Sequence, residues 1–356
     1  MSSLSNTLTQ HDEAISAALA TFFVNRTSGA RTIHPRYELL WEELARVTTN
    51  GGKRLRPKMT IMAYEAFGGT DTSAMIPVAA AQEILHSSLL IHDDIIDHEL
   101  TRRGQPNVSG AYMRDHYTEV NELSLRRHHS DSAALLGGDL LLIATFELME
   151  RSNLSAEQLS AVRAIFYRVV FEVAGGQLLD SEMAFLARDG ASAKTIALYK
   201  TASYSYIGPL LVGATVAGAH ADQLRELEDF ATNIGIAFQL HDDLLGVFGD
   251  EAKTGKSTSS DLREGKKTYL VEQFLESASS AHIATFRASF GNPELTDITA
   301  ESLKAMLRES GALDKTQAAI DHHVEQARHA LDRLELGDSA RAMFELLITM
   351  STKRDA

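Results

Sequence analysis

Cysteine is absent from this 356-residue chain, proline occurs six times and tryptophan once. Without cysteine, neither a disulfide framework nor a thiolate metal site can form, a composition that fits a reducing cytoplasm. Basic residues are also in short supply. Lys and Arg number 34 against 48 Asp and Glu, a formal charge of −14, which excludes general nucleic-acid binding because that needs a basic footprint. Long apolar runs are missing at the N-terminus. Asp12 and Glu13 precede the run Ile15–Val24, which lacks a basic flank and is too short for a signal peptide or a membrane span. Ile207–Ala219 is glycine-rich and also too short, so it reads as a buried helix. No transmembrane segment is expected, and the protein is expected to be soluble.

What is present is helix-forming material. Hydrophobic residues make up 44% and charged residues 23% of the chain, and apolar positions recur mostly three and four apart. No sustained alternation marks a strand. The spacing predicts helices over roughly 10–24, 35–48, 55–67, 73–99, 132–150, 155–186, 192–218, 221–246, 267–278, 300–309, 312–334 and 338–353. Ser155 with Gln158 has a capping-box pattern, and Thr299 and Asp338 read as N-caps. Pro209 after Gly208 is expected to kink its helix, since proline removes a backbone donor. With no linker and no repeat, residues 1–356 read as a single all-α domain, with 1–30 as an N-terminal helical segment. Two stretches read as loops. Asp115–Ser132, containing Arg126-Arg127-His128-His129, reads as a solvated loop rather than a metal site. Gly249–Lys267 concentrates Gly, Lys and Ser as a mobile phosphate-binding lid would.

Two apolar helical runs end in paired aspartates: Asp93-Asp94 with Asp97, and Asp242-Asp243. Unpaired carboxylates on a core-type face are costly to desolvate, and repeating that cost points to shared cations. Asp93 and Asp97 are four apart and project together, with Asp94 rotated by about 100°. Oxygen ligands so placed suit Mg²⁺, which shares its remaining positions with water and substrate phosphates. Basic residues flank both sides. Arg102-Arg103-Gly104-Gln105-Pro106 follows the first aspartates, and Gly51-Gly52-Lys53-Arg54-Leu55-Arg56-Pro57 opens an earlier helix, where glycine permits close approach and the helix start favours anions. His86, seven residues before Asp93, shares its face, as Gln239 does with Asp242 and Asp243. His92 and His241 point elsewhere. Together these residues describe a site for a polyanion with divalent metals, which also reconciles an acidic protein with an anionic ligand.

The ordered set resembles the trans-type isoprenyl diphosphate synthases, the polyprenyl synthetase family, and most of all those making geranylgeranyl diphosphate. Asp93–Asp97 with Arg102–Pro106 matches that family's DDxxD and RRGxP motifs, Gly51–Pro57 its GGKRxRP segment, Lys200-Thr201 its Lys-Thr pair, and Phe238–Asp243 its FQxxDD motif. Lys256 and Lys266 match its later lysines, so the motifs span about residues 50–270. The resemblance implies the isoprenoid synthase fold, an orthogonal helical bundle around a central cavity, usually a homodimer, in the cytoplasm. It implies three Mg²⁺ ions, two at Asp93 and Asp97 and one at Asp242, with Asp94 and Asp243 acting through water. Arg102, Lys200 and Lys256 would hold the allylic diphosphate, with Lys266 close by. Gly52, Lys53, Arg56, His86 and Arg103 would hold isopentenyl diphosphate, and Thr201 and Gln239 would steady the cation or leaving group. The activity implied is condensation of isopentenyl diphosphate with a dimethylallyl, geranyl or farnesyl diphosphate.

One departure stands out: the second motif commonly ends in a third aspartate, and here Gly246 takes that place, with Asp250 a possible aid. A terpene synthase is the nearest rival, disfavoured because Lys53, Arg56, His86 and Arg103 keep a second diphosphate site; a silent regulatory subunit is another. With diphosphate at Asp93 and Asp97, Leu89 and Ser88 would line the product tunnel about 6–7.5 Å below. In the family, aromatics here stop growth at farnesyl, so geranylgeranyl is the expected product, ahead of longer polyprenyl chains and farnesyl. Ser88→Phe is expected to shorten the product, read by mass spectrometry; an unchanged profile would remove the tunnel assignment.

Overall fold

The three- and four-residue apolar spacing is realised as helix almost throughout. The computed structural model describes residues 10–50, 52–183, 192–249 and 258–352. In chain order these form α1 (Asp12–Ile33), α2 (Pro35–Thr49), α3 (Leu55–Ala66), α4 (Thr72–Ile96), a hairpin of β1 (Thr101–Arg102) and β2 (Gln105–Pro106), α5 (Val108–Ala111) with a wide turn over Tyr112–His116, α6 (Leu123–Met149), α7 (Ala156–Met183), α8 (Ala193–Ile196) continuing as a π-helix over Ala197–Ile207, α9 (Gly208–Ala217), α10 (Ala221–Phe248), α11 (Ser260–Glu264), α12 (Tyr269–Ser277), α13 (Ser280–Arg287), α14 (Asp297–Glu309), α15 (Ala312–Arg333) and α16 (Asp338–Thr352).

Contacts divide the chain into two compact units. One comprises residues 1–164 and 212–219, the other 165–211 and 220–356. In the first, α4 lies against α6 and α3, and its core gathers Ile15, Leu19, Phe22, Leu44, Met59, Met75 and Leu85, all fully buried. Phe22 meets Trp41 edge-on at 6.3 Å. In the second, α10 lies against α15 and the π-helical segment, over a core of Phe230, Phe274, Phe286 and Phe344. Tyr206 is fully buried there, its hydroxyl donating to Ser351 Oγ at 3.0 Å.

Several local expectations are corrected. α1 runs to Ile33 rather than ending near 24. The tract Arg126-Arg127-His128-His129 lies in the first turns of α6, not in a loop, although both histidines are exposed. Thr296, not Thr299, caps α14; its hydroxyl accepts from Thr299 N–H. Asp338 is the first residue of α16, with Gly337 supplying the carbonyl that starts the helix. The capping box at Ser155 forms as expected, with reciprocal bonds of 3.0 and 3.1 Å to Gln158. Around Pro209 the missing donor is absorbed by widening of the preceding turns: Gly208 N–H bonds Ser203 O, five residues back. Two helices, Thr72–Ile96 and Leu123–Met149, are long and apolar enough to cross a membrane by length and composition. The apolar window of α4 is 78% buried, so it reads as a core helix, and that of α6 is half buried.

Close helix crossings rely on particular glycines. A Cβ on Gly235 of α10 would lie 2.8 Å from Ala202 Cα, so a larger residue must separate the two elements. Gly235→Val is expected to lower stability by about 1–3 kcal/mol, read as a lower urea midpoint with an unchanged slope.

Candidate active site

The first acidic motif sits where a helix least favours it. Asp93, Asp94 and Asp97 occupy the last turn and C-cap of α4, where the carbonyl ends already carry negative partial charge. Arg102 answers this from the hairpin that follows. Its Nε donates to Asp94 Oδ1 at 2.8 Å and a terminal nitrogen reaches Asp93 Oδ2 at 3.3 Å. Asp94 is buried, and burial pushes its carboxyl up to about 6 against the opposing pull of Arg102. Asp93 is half-buried and Asp97 exposed.

The hairpin explains the spacing of the Arg-Arg-Gly-Gln-Pro run. Thr101 pairs with Pro106 and Arg102 with Gln105, leaving Arg103 and Gly104 as a two-residue turn, both with positive φ (54° and 71°), as type I′ hairpin turns require. Strands of two residues carry no readable alternation, which is why the sequence did not reveal them. Asn107 closes the base, its side-chain nitrogen donating to Glu99 O at 2.9 Å and its oxygen accepting from Gly110 N–H at 2.8 Å.

Tight turning at Arg103 carries its side chain back to the loop before α3. A Cβ on Gly52, itself at φ 99°, would lie 3.2 Å from an Arg103 guanidinium nitrogen, so glycine there admits the arginine. Arg103 and Arg56 lie close enough to α4 for their charge to reach His86, two turns before Asp93. Both lower the basicity of His86, whose pKa falls well below the usual histidine range chiefly through burial. Glu83, buried on the same helix, sits in the field of Arg56, Arg54, Arg103 and Lys58, though burial dominates and raises it. A cavity of about 370 Å³ opens in this unit beside Arg102, Arg103, Asp94 and Arg46. Lys53 is exposed. Below the aspartates, Ser88 is fully buried with its hydroxyl on Gly138 O of α6 at 2.8 Å, while Leu89 is half-buried.

The second unit assembles its own charged set. Gly176 of α7 allows that helix to touch the backbone at Lys200, and one turn on Asp180 forms an ion pair with Lys200 Nζ. Thr201 Oγ1 donates to Gln239 Oε1 at 2.6 Å, and Gln239 Nε2 donates to Asp243 Oδ1 at 2.8 Å. Gln239 and Asp243 thus share a face as their spacing predicts, while Asp242 is exposed. Burial raises the Asp243 carboxyl to about 7, with Lys266 and the Gln239 bond pulling it down. Lys266 keeps its charge strongly: Asp261, Asp243 and Asp180 outweigh its desolvation. Gly51, Asp250 and Lys256 lie outside the described residues, as does the stretch 250–257 of the expected lid; Thr258–Lys267 includes α11.

Every acidic donor here is a carboxylate, a set suited to Mg²⁺. Among the described residues no three Asp, Glu, His or Cys side chains converge enough to hold an ion alone. Mg²⁺ would therefore take few protein ligands and complete its shell with phosphate and water. Sequence reasoning missed Glu83, Asn107, Asp180 and Asp261; Glu83 and Asp180 act through partners distant in the chain. Only the Gly175-Gly176 pair preceding Asp180 offered a local signal.

The Polyprenyl synthetase family profile matches residues 38–306. Geranylgeranyl diphosphate synthase of Sulfolobus acidocaldarius is 38% identical over 248 residues, 67% of each chain. A short chain isoprenyl diphosphate synthase of Methanothermobacter thermautotrophicus is 32% identical over 308 residues, 86% of this chain and 88% of its own. The crystal structure of geranylgeranyl pyrophosphate synthase from Corynebacterium glutamicum, complexed with isoprenyl diphosphate and magnesium, superposes with a TM-score of 0.89 at 33% identity, covering 98% of this chain and 99% of that one. The chain belongs to the polyprenyl synthetase family: it is a prenyltransferase with the isoprenoid synthase fold, and the resemblance read from its motifs holds.

Arg102→Ala would leave buried Asp94 without its guanidinium. The expected loss is about 2 kcal/mol, below the ~3–5 of a fully buried pair because Arg102 is 32% exposed. Guanidinium unfolding of the metal-free protein at pH 8 reads it, and an unshifted midpoint would refute the pairing.

Proposed function

We propose that this protein condenses isopentenyl diphosphate with an allylic diphosphate to give geranylgeranyl diphosphate. The observation that supports this is the presence, within one unit, of two separate groups of basic side chains, each suited to an anion. One is Arg102 beside Asp93 and Asp94; the other is Arg103 packed on Gly52 with Arg56 and His86 nearby. A terpene synthase needs only the first. The naming of relatives such as the Sulfolobus acidocaldarius enzyme supports the geranylgeranyl product.

In this reading Arg102, Lys200, Lys256 and Lys266 hold the allylic diphosphate, while Gly52, Lys53, Arg56, His86 and Arg103 hold isopentenyl diphosphate. Asp93 and Asp97 would hold two Mg²⁺ ions and Asp242 a third, which would supply neutralisation of charge on the departing diphosphate. Asp94 serves chiefly to aim Arg102, and Asp180 to aim Lys200. The allylic carbon–oxygen bond breaks with its electron pair leaving on diphosphate. The isopentenyl double bond attacks the resulting cation, and the released diphosphate takes the final proton. Thr201, held by Gln239, turns an oxygen dipole toward the cation. Residues 1–356 act as one cytoplasmic synthase domain. It pairs as a homodimer through apolar helix faces exposed on α6 (Leu136 59%, Ile143 69%) and α7 (Phe171 81%).

Purified protein incubated with isopentenyl diphosphate, Mg²⁺ and each allylic primer is expected to yield a C20 diphosphate by mass spectrometry. Cyclised hydrocarbon without isopentenyl consumption would favour the terpene synthase, and no turnover a silent subunit. Because Ser88 is engaged with α6, Leu89→Phe is the cleaner test of the tunnel and should shift product toward farnesyl. Phe171→Glu should move the sedimentation coefficient from dimer toward monomer; an unchanged value would reject that face.

A further inference from the structure

Arg54 follows Lys53 in the loop assigned to isopentenyl diphosphate, yet its side chain leaves that loop. With Gly52 it brackets Lys53 in left-handed backbone, at φ 46° and 99°. That conformation costs a non-glycine residue free energy and lasts only where the surroundings hold it. Arg54 is also the N-cap of α3, but no side-chain bond from it caps the helix. Its guanidinium instead donates to Ser16 Oγ and comes within 3.5 Å of Asp12 O, both at the start of α1.

This contact is one rung of three. Lys58, four residues on and so on the same face of α3, pairs with Asp12 Oδ2 at 3.1 Å. His11 Nε2 lies 3.1 Å from Glu65 Oε1, in the last turn of α3. As the α1 partners rise from 11 to 16, those on α3 fall from 65 to 54. The opening of α1 therefore runs antiparallel along α3 and ends on Arg54. Asp12 Oδ1 is buried without a hydrogen-bond partner among the described residues, a desolvation cost that the neighbouring cations offset. The Glu83 carboxyl on α4 feels Arg56 and Arg103 together with Arg54 and Lys58, so four like charges gather in one region and repel one another. Asp12 offsets two of them from the α1 side.

We propose that the opening turns of α1 set the shape of the loop that takes isopentenyl diphosphate, with Ser16 and Asp12 as positioning residues acting through Arg54 and Lys58. The proposal rests on the two-diphosphate reading of the site. Neither Ser16 nor Asp12 touches substrate. Holding Arg54 left-handed presents the Gly52–Lys53 turn to the anion. Drawing the Arg54 and Lys58 charges toward Asp12 leaves Arg56 and Arg103 as the pair beside His86.

The test is steady-state kinetics of the full chain with isopentenyl diphosphate and allylic primer varied separately, circular dichroism confirming the helical fold of each variant. Arg54→Gly is the informative substitution, because glycine keeps the left-handed backbone without steric cost and removes the tether. Its KM for isopentenyl diphosphate is expected to rise about tenfold, the scale of a lost charge-assisted hydrogen bond. Its kcat and its KM for the primer should stay at the parent's values, as loss of ground-state binding requires. Ser16→Ala should behave likewise, and Ser16→Thr, which restores the hydroxyl, should return the parent's KM. Calorimetric titration of isopentenyl diphosphate into Arg54→Gly should show the same loss of affinity. An unchanged isopentenyl KM in Arg54→Gly and Ser16→Ala, an equal rise in both KM values, or no rescue by Ser16→Thr would each overturn the positioning role alone. A parent protein that consumes no isopentenyl diphosphate would overturn the reading of the site, and the positioning role with it.

Discussion

Carboxylates at the C-terminal end of a helix are repelled by the carbonyls around them, and the first aspartate motif is built on that conflict. Asp93, Asp94 and Asp97 close α4 with no basic residue in its last turn. Their counter-charge comes from the next element, and the geometry of that element follows from the need. A two-residue hairpin turn brings Arg102 onto Asp93 and Asp94, and the same turn throws Arg103 the other way onto Gly52. One strained turn thus sends two neighbouring arginines to two different places, and left-handed Arg103 is its local cost.

The second unit balances the same kind of charge differently. Asp243 is buried rather than capping a helix end, and is steadied by Gln239 and Lys266. Lys200 lies in a π-helical stretch whose wide turns also take up the donor missing at Pro209. Its partner Asp180 arrives on α7 because Gly176 lets the two backbones meet. In both units, glycine gives a charged group room: Gly52 beside the Arg103 guanidinium and Gly176 beside the Lys200 backbone.

Much of this was legible beforehand. The boundaries of α2, α3 and α15 follow the apolar spacing within a residue or so, and the paired aspartates announce themselves as acids at the ends of apolar runs. Illegible features have a common physical origin. Strands of two residues are too short for period-two alternation, so the hairpin left no pattern. The histidines of α6 are polar at a helix start and look like loop. Glu83 and Asp180 are ordinary acids in sequence, and become significant only through Arg56 and Lys200, which lie far from them along the chain.

By itself the sequence determined the all-helical character, the demand for divalent cations and the order of the family's motifs, because these depend on residue type and on spacing within single helices. Only the tertiary structure decided which basic group answers which acid, and which glycines give those groups room. Those are questions of proximity between separate elements, and spacing along one helix carries no information about them.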